Sequence, residues 1–247
     1  MIDLHCHVLP GVDDGARSLG EAAEMCRLAA ADGCEVLVAT PHQRRGPWWN
    51  DDRAHLAGLA QDIQDVIGPS PRVLLGGEVH VDSPSQFLAE VARLPEGGGI
   101  LPLAGSRYLL IEFGQTGTES EAAHLVHELS VSGWRPIVAH PEFIPWLAED
   151  HGLVARLVSL GALTQVTAMS VTGDFGRAPQ QDALALIGAG LVHFVASDSH
   201  GPRRRPPGLS RACRTIAGRF GQAMARRLST DNPRAVIEDR PLPASAA

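Results

Sequence analysis

Residues 1–14 read MIDLHCHVLPGVDD and place two histidines and two adjacent aspartates at the start of the chain. The first residues of this stretch are mostly apolar and predict a strand, which Pro10–Gly11 ends. His5 and His7 lie two residues apart, so a strand would present both imidazoles on the same face. Two converging imidazoles suit a metal ion, but a solvated strand tip explains this stretch equally well when it is taken alone.

The length and composition of the chain favour a single enclosed core. The chain has 247 residues, of which 44% are hydrophobic, and no linker rich in Pro, Gly or Ser divides it. We therefore expect one domain over residues 1–247. No run approaches the ~18–20 apolar residues of a membrane span. The N-terminus has no basic region followed by an apolar one, so we expect a cytoplasmic protein without a membrane span.

The charged residues exclude several classes of function. The net charge of −7 argues against a nucleic-acid partner. All 21 basic residues are arginine. Mechanisms that need a lysine, such as a Schiff base or a lysine-containing phosphate loop, are therefore excluded. The four cysteines have no metal-ligand spacing and are expected to be buried, reduced thiols.

Strand-like and helix-like segments alternate along almost the whole chain, which is typical of a parallel sheet with helices outside it. Ser18 and Glu21 predict a capping box at the first helix, and Asn50 predicts the cap of the second. At this length the pattern favours an α/β fold of the closed or distorted (β/α) barrel type over an open sheet. After the first strand, the predicted strands lie in 34–40, 72–81, 108–113, 135–142, 163–167 and 192–197. The predicted helices lie in 18–33, 50–68, 83–94, 119–132, 144–160 and 178–189, with a Gly/Pro-rich loop over 95–106.

Histidine and carboxylate residues recur where the predicted strands end. In a parallel barrel these carboxyl ends form one face, where active sites are built, so we expect the side chains to meet there. The pattern therefore resolves the question left by the first strand in favour of a metal centre. The residues in chain order are His5, His7, His42, Glu78, Glu112, His140, Glu142, Asp198 and His200.

The other histidines are expected to have surface or structural roles. His80 shares a face with Glu78 by the two-residue period of a strand, and we also assign it a structural role. The rest lie on predicted helices or at the start of a strand, and they are His55, His124, His127, His151 and His193.

Nitrogen and carboxylate ligands without thiolates suit Mn²⁺, Zn²⁺ or Fe rather than a structural zinc site built from cysteines. The number of candidate ligands exceeds what one ion can use. The sequence therefore implies two or three clustered divalent ions. Such clusters are used to hydrolyse phosphate esters.

At these residues the sequence resembles the PHP (polymerase and histidinol phosphatase) superfamily. Within it, the chain is similar to the bacterial capsule-biosynthesis type of manganese-dependent protein-tyrosine phosphatase. The motifs that carry the resemblance occur in the family's order and span essentially the whole chain. They are MIDLHCHVLPGVDDGA, ATPHQRRGPWWN, GGEVHVD, LLIEF, VAHPE and ASDSHGPRRRPP. The resemblance implies a distorted (β/α)7 barrel with a trinuclear metal centre at the carboxyl ends of its strands.

The resemblance also implies which residues hold each metal ion. Asp13 would support the ligands from behind rather than bind an ion. One ion would be held by His5, His7, Glu78 and Asp198, a second by Glu78, Glu112 and His140, and a third by Asp14, His42 and His200.

Arg205 occupies the position where the family places a phosphate-binding arginine. The family usually has a further arginine after HPE, but here Phe143 stands at that position. A guanidinium–phosphate contact is strong, so the loss of this arginine makes phosphotyrosine specificity a weaker expectation. The expectation that the protein hydrolyses phosphate esters is less affected. The arginines that could replace the missing one are Arg44, Arg45, Arg203 and Arg204, but solvated loops explain them equally well because every basic residue of this chain is arginine. The leaving oxygen would receive its proton near the third ion, with Asp14 or His200 assisting.

Three hypotheses follow. The first is a metal-dependent phosphomonoesterase that acts on a phosphotyrosine protein, such as a kinase of exopolysaccharide or capsule synthesis. The second keeps the site but changes the substrate to histidinol phosphate, a sugar phosphate or a nucleotide. The third is a non-catalytic, regulatory PHP domain.

Overall fold

The computed structural model describes residues 1–94 and 97–243. The first two residues of the predicted 95–106 loop, and residues 244–247 of the predicted single domain, lie outside the described residues. Within the described part, the strands are β1 (Ile2–Cys6), β2 (Val36–Ala39), β3 (His42–Gln43), β4 (Arg72–Leu75), β5 (Glu78–Val81), β6 (Tyr108–Phe113), β7 (Arg135–Ala139), β8 (Leu163–Thr167) and β9 (Phe194–Ala196).

Helices follow most of the strands, in the alternation that the sequence predicts. None of the helices in the described ranges is long and apolar enough to cross a membrane. The α-helices of the described residues are α1 (Leu19–Ala31), α2 (Arg53–Ile67), α3 (Pro84–Val91), α4 (Glu119–Val131), α5 (Pro145–Ala148), α6 (His151–Ser159), α7 (Ala168–Thr172), α8 (Arg177–Gly188), α9 (Ser210–Phe220), α10 (Gln222–Arg226) and α11 (Asn232–Ile237).

All strand pairs are parallel, and they form two sheets with the orders β1-β2-β4 and β3-β5-β6-β7-β8-β9. The predicted α/β class with parallel strands is therefore confirmed, whereas a single closed barrel is not what the strand pairing shows. Backbone hydrogen bonds nevertheless join the end of β1 to the segment after β9: His7 N donates to Ser199 O over 2.9 Å, and Asp198 N donates to His5 O over 2.8 Å. The two sheets therefore meet where the first histidines lie.

The prediction of seven strands was wrong in detail because two of them are broken. Pro41 separates β2 from β3, and Gly76–Gly77 separates β4 from β5. A Cβ atom at Gly76 would lie 2.8 Å from Leu103 Cδ2, and one at Gly77 would lie 2.2 Å from Gln43 Oε1. The two glycines therefore allow the chain to pass close to its neighbours, at the cost of a regular strand.

The predicted helix boundaries were partly wrong. Ser18 accepts a hydrogen bond from Glu21 N over 3.3 Å, but the Glu21 carboxylate accepts from Arg17 N, so only half of the capping box forms. Asp52, not Asn50, caps α2. The amide of Asn50 instead donates to Val12 O and His42 O, which ties its loop to the strand ends. The single helix predicted over 144–160 is divided into α5 and α6, and Asp150 caps the second piece.

Apolar side chains fill both sides of the sheets, as is usual for parallel strands. One cluster lies between strands and includes Leu4, Tyr108 and Phe194, and a larger cluster lies between the strands and the helices.

His193 is a titratable group that the fold holds neutral. Its Nδ1 accepts a hydrogen bond from Thr164 N over 3.1 Å. Burial and the nearby Arg227 lower the pKa of His193 to about 4. An unfolded histidine titrates near 6.5, so the unfolded chain takes up a proton first as the pH falls. The stability that neutral His193 contributes is complete above about pH 7 and is lost as the pH falls from about 6.5 towards 4.

We predict that wild-type protein loses about 2 kcal/mol more stability between pH 7 and pH 5 than a His193→Asn variant does. Asparagine retains an oxygen that can accept from Thr164 N but does not titrate. Urea unfolding of both proteins at the two pH values measures the difference. Parallel pH dependences would contradict the prediction.

Candidate metal centre and active site

The structure brings the nine predicted metal ligands together at the carboxyl ends of the strands. Asp14 is exposed and His200 is half-buried, while the other members are buried. Most of the charge in the cluster is therefore shielded from bulk water. The predicted ligands on strands are His5, His42, Glu78 and Glu112, and the predicted ligands in the loops that follow strands are His7, Asp14, His140, Asp198 and His200.

A tight cluster joins His5, His7, Glu78 and Asp198. The Nε2 atoms of the two histidines are 3.1 Å apart. The Glu78 carboxylate lies 3.4 Å from His5 Nε2 and 3.5 Å from His7 Nε2. Oδ1 of Asp198 lies 3.5 Å from both nitrogens. The separations among the two Nε2 atoms and Asp198 Oδ1 match the edges of a tetrahedron whose centre is about 2.0–2.1 Å from each atom, the usual distance for a transition metal.

The hydrogen bonds behind the two histidines leave their facing nitrogens free to bind a cation. His5 Nδ1 lies 2.8 Å from Gln165 Oε1, and His7 Nδ1 lies 2.8 Å from Asp13 Oδ2. Both oxygens only accept, so in the neutral imidazoles each Nδ1 carries the hydrogen and each Nε2 presents a lone pair. Two such lone pairs 3.1 Å apart repel each other unless a proton or a metal ion lies between them. The donor set therefore fits a metal ion, with Gln165 and Asp13 orienting the ligands.

The ionisation of this cluster also favours positive charge at its centre. Burial opposes protonation of His7, but the Asp13 carboxylate outweighs it and raises the pKa of His7 to about 10. Burial would raise the pKa of Glu78, but His5 and His140 hold it well below the ordinary value. A metal ion would therefore replace protons that these groups otherwise retain.

A second group of ligands lies at the open side of the cluster. Oδ1 of Asp14 is 3.3 Å from His42 Nε2 and 3.4 Å from His200 Nε2. His200 Nδ1 donates to Asp198 O over 3.0 Å, so its Nε2 also presents a lone pair. Burial alone would raise the pKa of Asp14, but hydrogen bonds to the two imidazoles lower it, and the carboxylate stays ionised.

Glu78 connects these ligands to a third group. Its carboxylate lies 2.6 Å from His42 Nδ1 and 2.8 Å from His140 Nε2. Oε1 of Glu112 lies 3.9 Å from the same His140 nitrogen. Burial disfavours charge on His140, yet Glu78 raises its pKa to about 9. Glu78 thus occupies the centre of the whole arrangement, where a bridging ligand would lie.

Two ligands have unusual backbone conformations. His140 has a φ of 32° and Asp198 a φ of 51°, both in the left-handed region that non-glycine residues rarely adopt. His140 directly follows β7, and Asp198 lies two residues after the end of β9. At both positions the chain turns across the carboxyl ends of the strands. Such conformations cluster at functional sites because surrounding contacts enforce them.

The structure defines the roles of three residues beside the cluster that the sequence left open or missed. His80 Nδ1 lies 2.9 Å from Glu112 Oε2 and orients that carboxylate, which gives a specific form to the structural role expected for it. Gln165 was missed because a glutamine on a strand has no distinctive spacing. Glu142, which the strand-end pattern included, does not join the cluster. Its buried carboxylate accepts a hydrogen bond from Thr167 N over 2.7 Å.

All of the predicted ligands except His5 and His7 line a cavity of about 260 Å³. Of the predicted arginines, Arg45 and Arg205 line it. Arg45 Nη1 lies 3.3 Å from Glu112 Oε1, and Arg205 forms an ion pair with Asp198. Phe143, Phe175 and Gln115 complete the wall beside the charged groups.

The other predicted arginines are not part of this cavity wall. Arg44 pairs with Glu90 over 2.7 Å and lies over the ring of the exposed Trp49. Arg203 and Arg204 are exposed and line a separate groove next to Asp14. Adjacent arginines thus have different surroundings that the sequence did not distinguish.

Comparison with known proteins identifies relatives that cover nearly the whole chain. A family model described as "Capsular polysaccharide synthesis, CpsB/CapC" matches residues 1–238. Tyrosine-protein phosphatase YwqE of Bacillus subtilis (strain 168) is 32% identical over 248 residues, which cover 97% of this chain and 92% of that protein. Tyrosine-protein phosphatase CpsB of Streptococcus pneumoniae is 28% identical over 247 residues, with 97% and 99% covered. Among solved structures, a match comes from the crystal structures of YwqE from Bacillus subtilis and CpsB from Streptococcus pneumoniae, described as "unique metal-dependent tyrosine phosphatases". Its TM-score is 0.90 at 31% identity, and the match covers 98% of this chain and 96% of that chain.

We predict that Glu78→Gln reduces the number of Mn²⁺ ions bound per chain by at least one. The amide preserves the size of the side chain but removes the charge that four imidazoles contact. Equilibrium dialysis followed by elemental analysis measures the change, with circular dichroism to verify folding. Glu142→Gln is the matched control, because Glu142 is equally buried but hydrogen-bonded away from the cluster. Equal metal content in the two variants would exclude a ligand role for Glu78.

Proposed function

The chain belongs to the CpsB/CapC family of capsular polysaccharide synthesis proteins, and from this premise we propose that it is a metal-dependent protein-tyrosine phosphatase. Membership confirms the resemblance inferred from the sequence motifs. The observation that carries the proposal is one cavity onto which imidazoles, carboxylates and two guanidinium groups all open. The substrate class follows from relatives that are named tyrosine-protein phosphatases.

The proposal includes two or three divalent metal ions, with manganese as the first choice and iron or zinc as alternatives. When bound, such ions place positive charge opposite phosphate oxygens and lower the pKa of a water molecule. Three overlapping groups of donor atoms, each within 4.8 Å of one another, support this assignment. They are His5, His7 and Asp198; His42, Glu78 and Glu112; and His7, Asp14, His42 and His200.

The side chains of this protein would position the phosphate and handle the proton. Arg45 and Arg205 enter the cavity from two different loops, and their N–H groups would donate to phosphate oxygens. Asp14 and His200 lie 3.4 Å apart at the open side, where they would position a water molecule that gives the leaving oxygen its proton. The buried ligands exclude bulk water from the rest of the site.

We extend the proposal to features implied by the resemblance. The substrate would be a phosphotyrosine protein, such as a kinase of capsule or exopolysaccharide synthesis. Residues 1–247 would form one domain with a distorted (β/α)7 barrel. The hydrogen bonds between the end of β1 and the segment after β9 support the barrel, because they connect the first and last strands.

Substrate preference tests the proposed function. With Mn²⁺ present, we expect kcat/KM for a phosphotyrosine peptide to exceed that for the same peptide with phosphoserine by at least about tenfold. Histidinol phosphate, a sugar phosphate and a nucleotide complete the panel, and Asp198→Asn controls for contaminating phosphatases. Preference for one of the small phosphates would favour the small-molecule hypothesis. Bound metal without any turnover would favour the regulatory one.

A second prediction concerns Arg205. Loss of a charged hydrogen bond costs about 1.5–3 kcal/mol, so Arg205→Ala should lower kcat/KM for phosphotyrosine about ten- to a hundredfold. Metal content should remain normal, because the nine ligands are unchanged. Arg219→Ala, which removes an exposed arginine from α9, is the control for loss of positive charge. Unchanged kinetics in Arg205→Ala would remove Arg205 from the site and leave Arg45 as the phosphate-binding arginine.

A further inference from the structure

Two phenylalanine rings form an apolar wall in a cavity that is otherwise mostly charged. Phe143 ends the 3₁₀ turn Pro141–Phe143 after β7, and Phe175 lies in the loop after α7. Their ring centroids are 5.2 Å apart with an angle of 83° between the planes, which is the edge-to-face arrangement that aromatic rings prefer. Both side chains are half-buried and line the cavity.

The wall lies directly beside the groups that would bind a phosphate. The guanidinium carbon of Arg205 is 5.4 Å from the centroid of the Phe175 ring, within the range of a cation–π contact. The ring of Phe143 meets that of His140 edge-on at 6.1 Å. A ligand whose phosphate reaches Arg205 therefore has its organic part next to the two rings.

The chemistry of the wall limits what this organic part can be. Packing against another aromatic ring stabilises a phenyl ring beyond the apolar area that the contact buries, and an alkyl or sugar group lacks this additional contribution. The cavity, at about 260 Å³, is smaller than the roughly 300–1,000 Å³ of sites for drug-sized ligands. An aromatic side chain bearing one phosphate matches both its size and its division into an apolar and a charged part.

We propose that Phe143 and Phe175 form an aryl subsite that selects phosphate esters of phenols over phosphate esters of alkyl alcohols. This inference rests on the proposed phosphatase function and names the residues that determine its specificity. The subsite acts on the organic part of the substrate, whereas Arg205 and the metal ligands act on the phosphate.

Binding of two non-hydrolysable probes tests the subsite without turnover. Calorimetry of the Mn²⁺-loaded protein with phenylphosphonate and methylphosphonate compares ligands that share the phosphonate but differ in the ring. We expect wild-type protein to bind phenylphosphonate more tightly, and Phe143→Leu and Phe175→Leu each to reduce this preference about five- to tenfold. Leucine retains apolar bulk, and Phe220→Leu, which changes a half-buried ring outside the cavity wall, should leave the preference unchanged.

The two probes separate the subsite from a mere packing role. If Phe175 only positions Arg205, then Phe175→Leu weakens both phosphonates equally and the preference persists, which overturns the proposal. An absence of preference in wild-type protein overturns it as well. A different result would overturn the proposed phosphatase function alone. In that case the protein binds phenylphosphonate preferentially but does not hydrolyse phosphotyrosine.

Discussion

A buried carboxylate surrounded by imidazoles is the constraint on which the rest of this structure depends. Glu78 is 1% exposed and lies within 3.5 Å of a nitrogen of His5, His7, His42 and His140. A buried, unpaired charge is strongly destabilising, so the cluster is stable only if positive charge remains beside this carboxylate. Protons on the histidines or metal ions can supply it, and the lone pairs directed inwards favour metal ions.

The fold meets this constraint by bringing several strand ends to one point. Parallel pairing aligns His42 with Glu78 on neighbouring strands, and hydrogen bonds between β1 and the segment after β9 hold Asp198 beside the first histidines. Gln165, Asp13 and His80 then fix the orientation of individual ligands. The left-handed backbone at His140 and Asp198 is held by these same surroundings, which is why strain and function coincide there.

The cavity combines two kinds of surface. Histidine and carboxylate side chains and Arg205 make one part charged, while Phe143 and Phe175 provide an apolar face a few ångströms away. Because Arg205 contacts both Asp198 and the Phe175 ring, it lies at the boundary between the two surfaces. In the proposed function, the groups that bind the phosphate and those that bind the organic part would therefore be adjacent.

The sequence by itself determined the α/β class, the order of most elements and most of the histidines and carboxylates that cluster, because these depend on local periodicity and on polar residues placed where strands end. Only the tertiary structure decided that Arg45 and not Arg44 lines the cavity, that Glu142 is bonded to Thr167 N, and that Phe143 meets Phe175. It also showed that the strands pair in two sheets. The direction of a side chain after a turn, and its contacts with residues distant in the chain, depend on how separate loops pack together, which the local pattern of a sequence does not record.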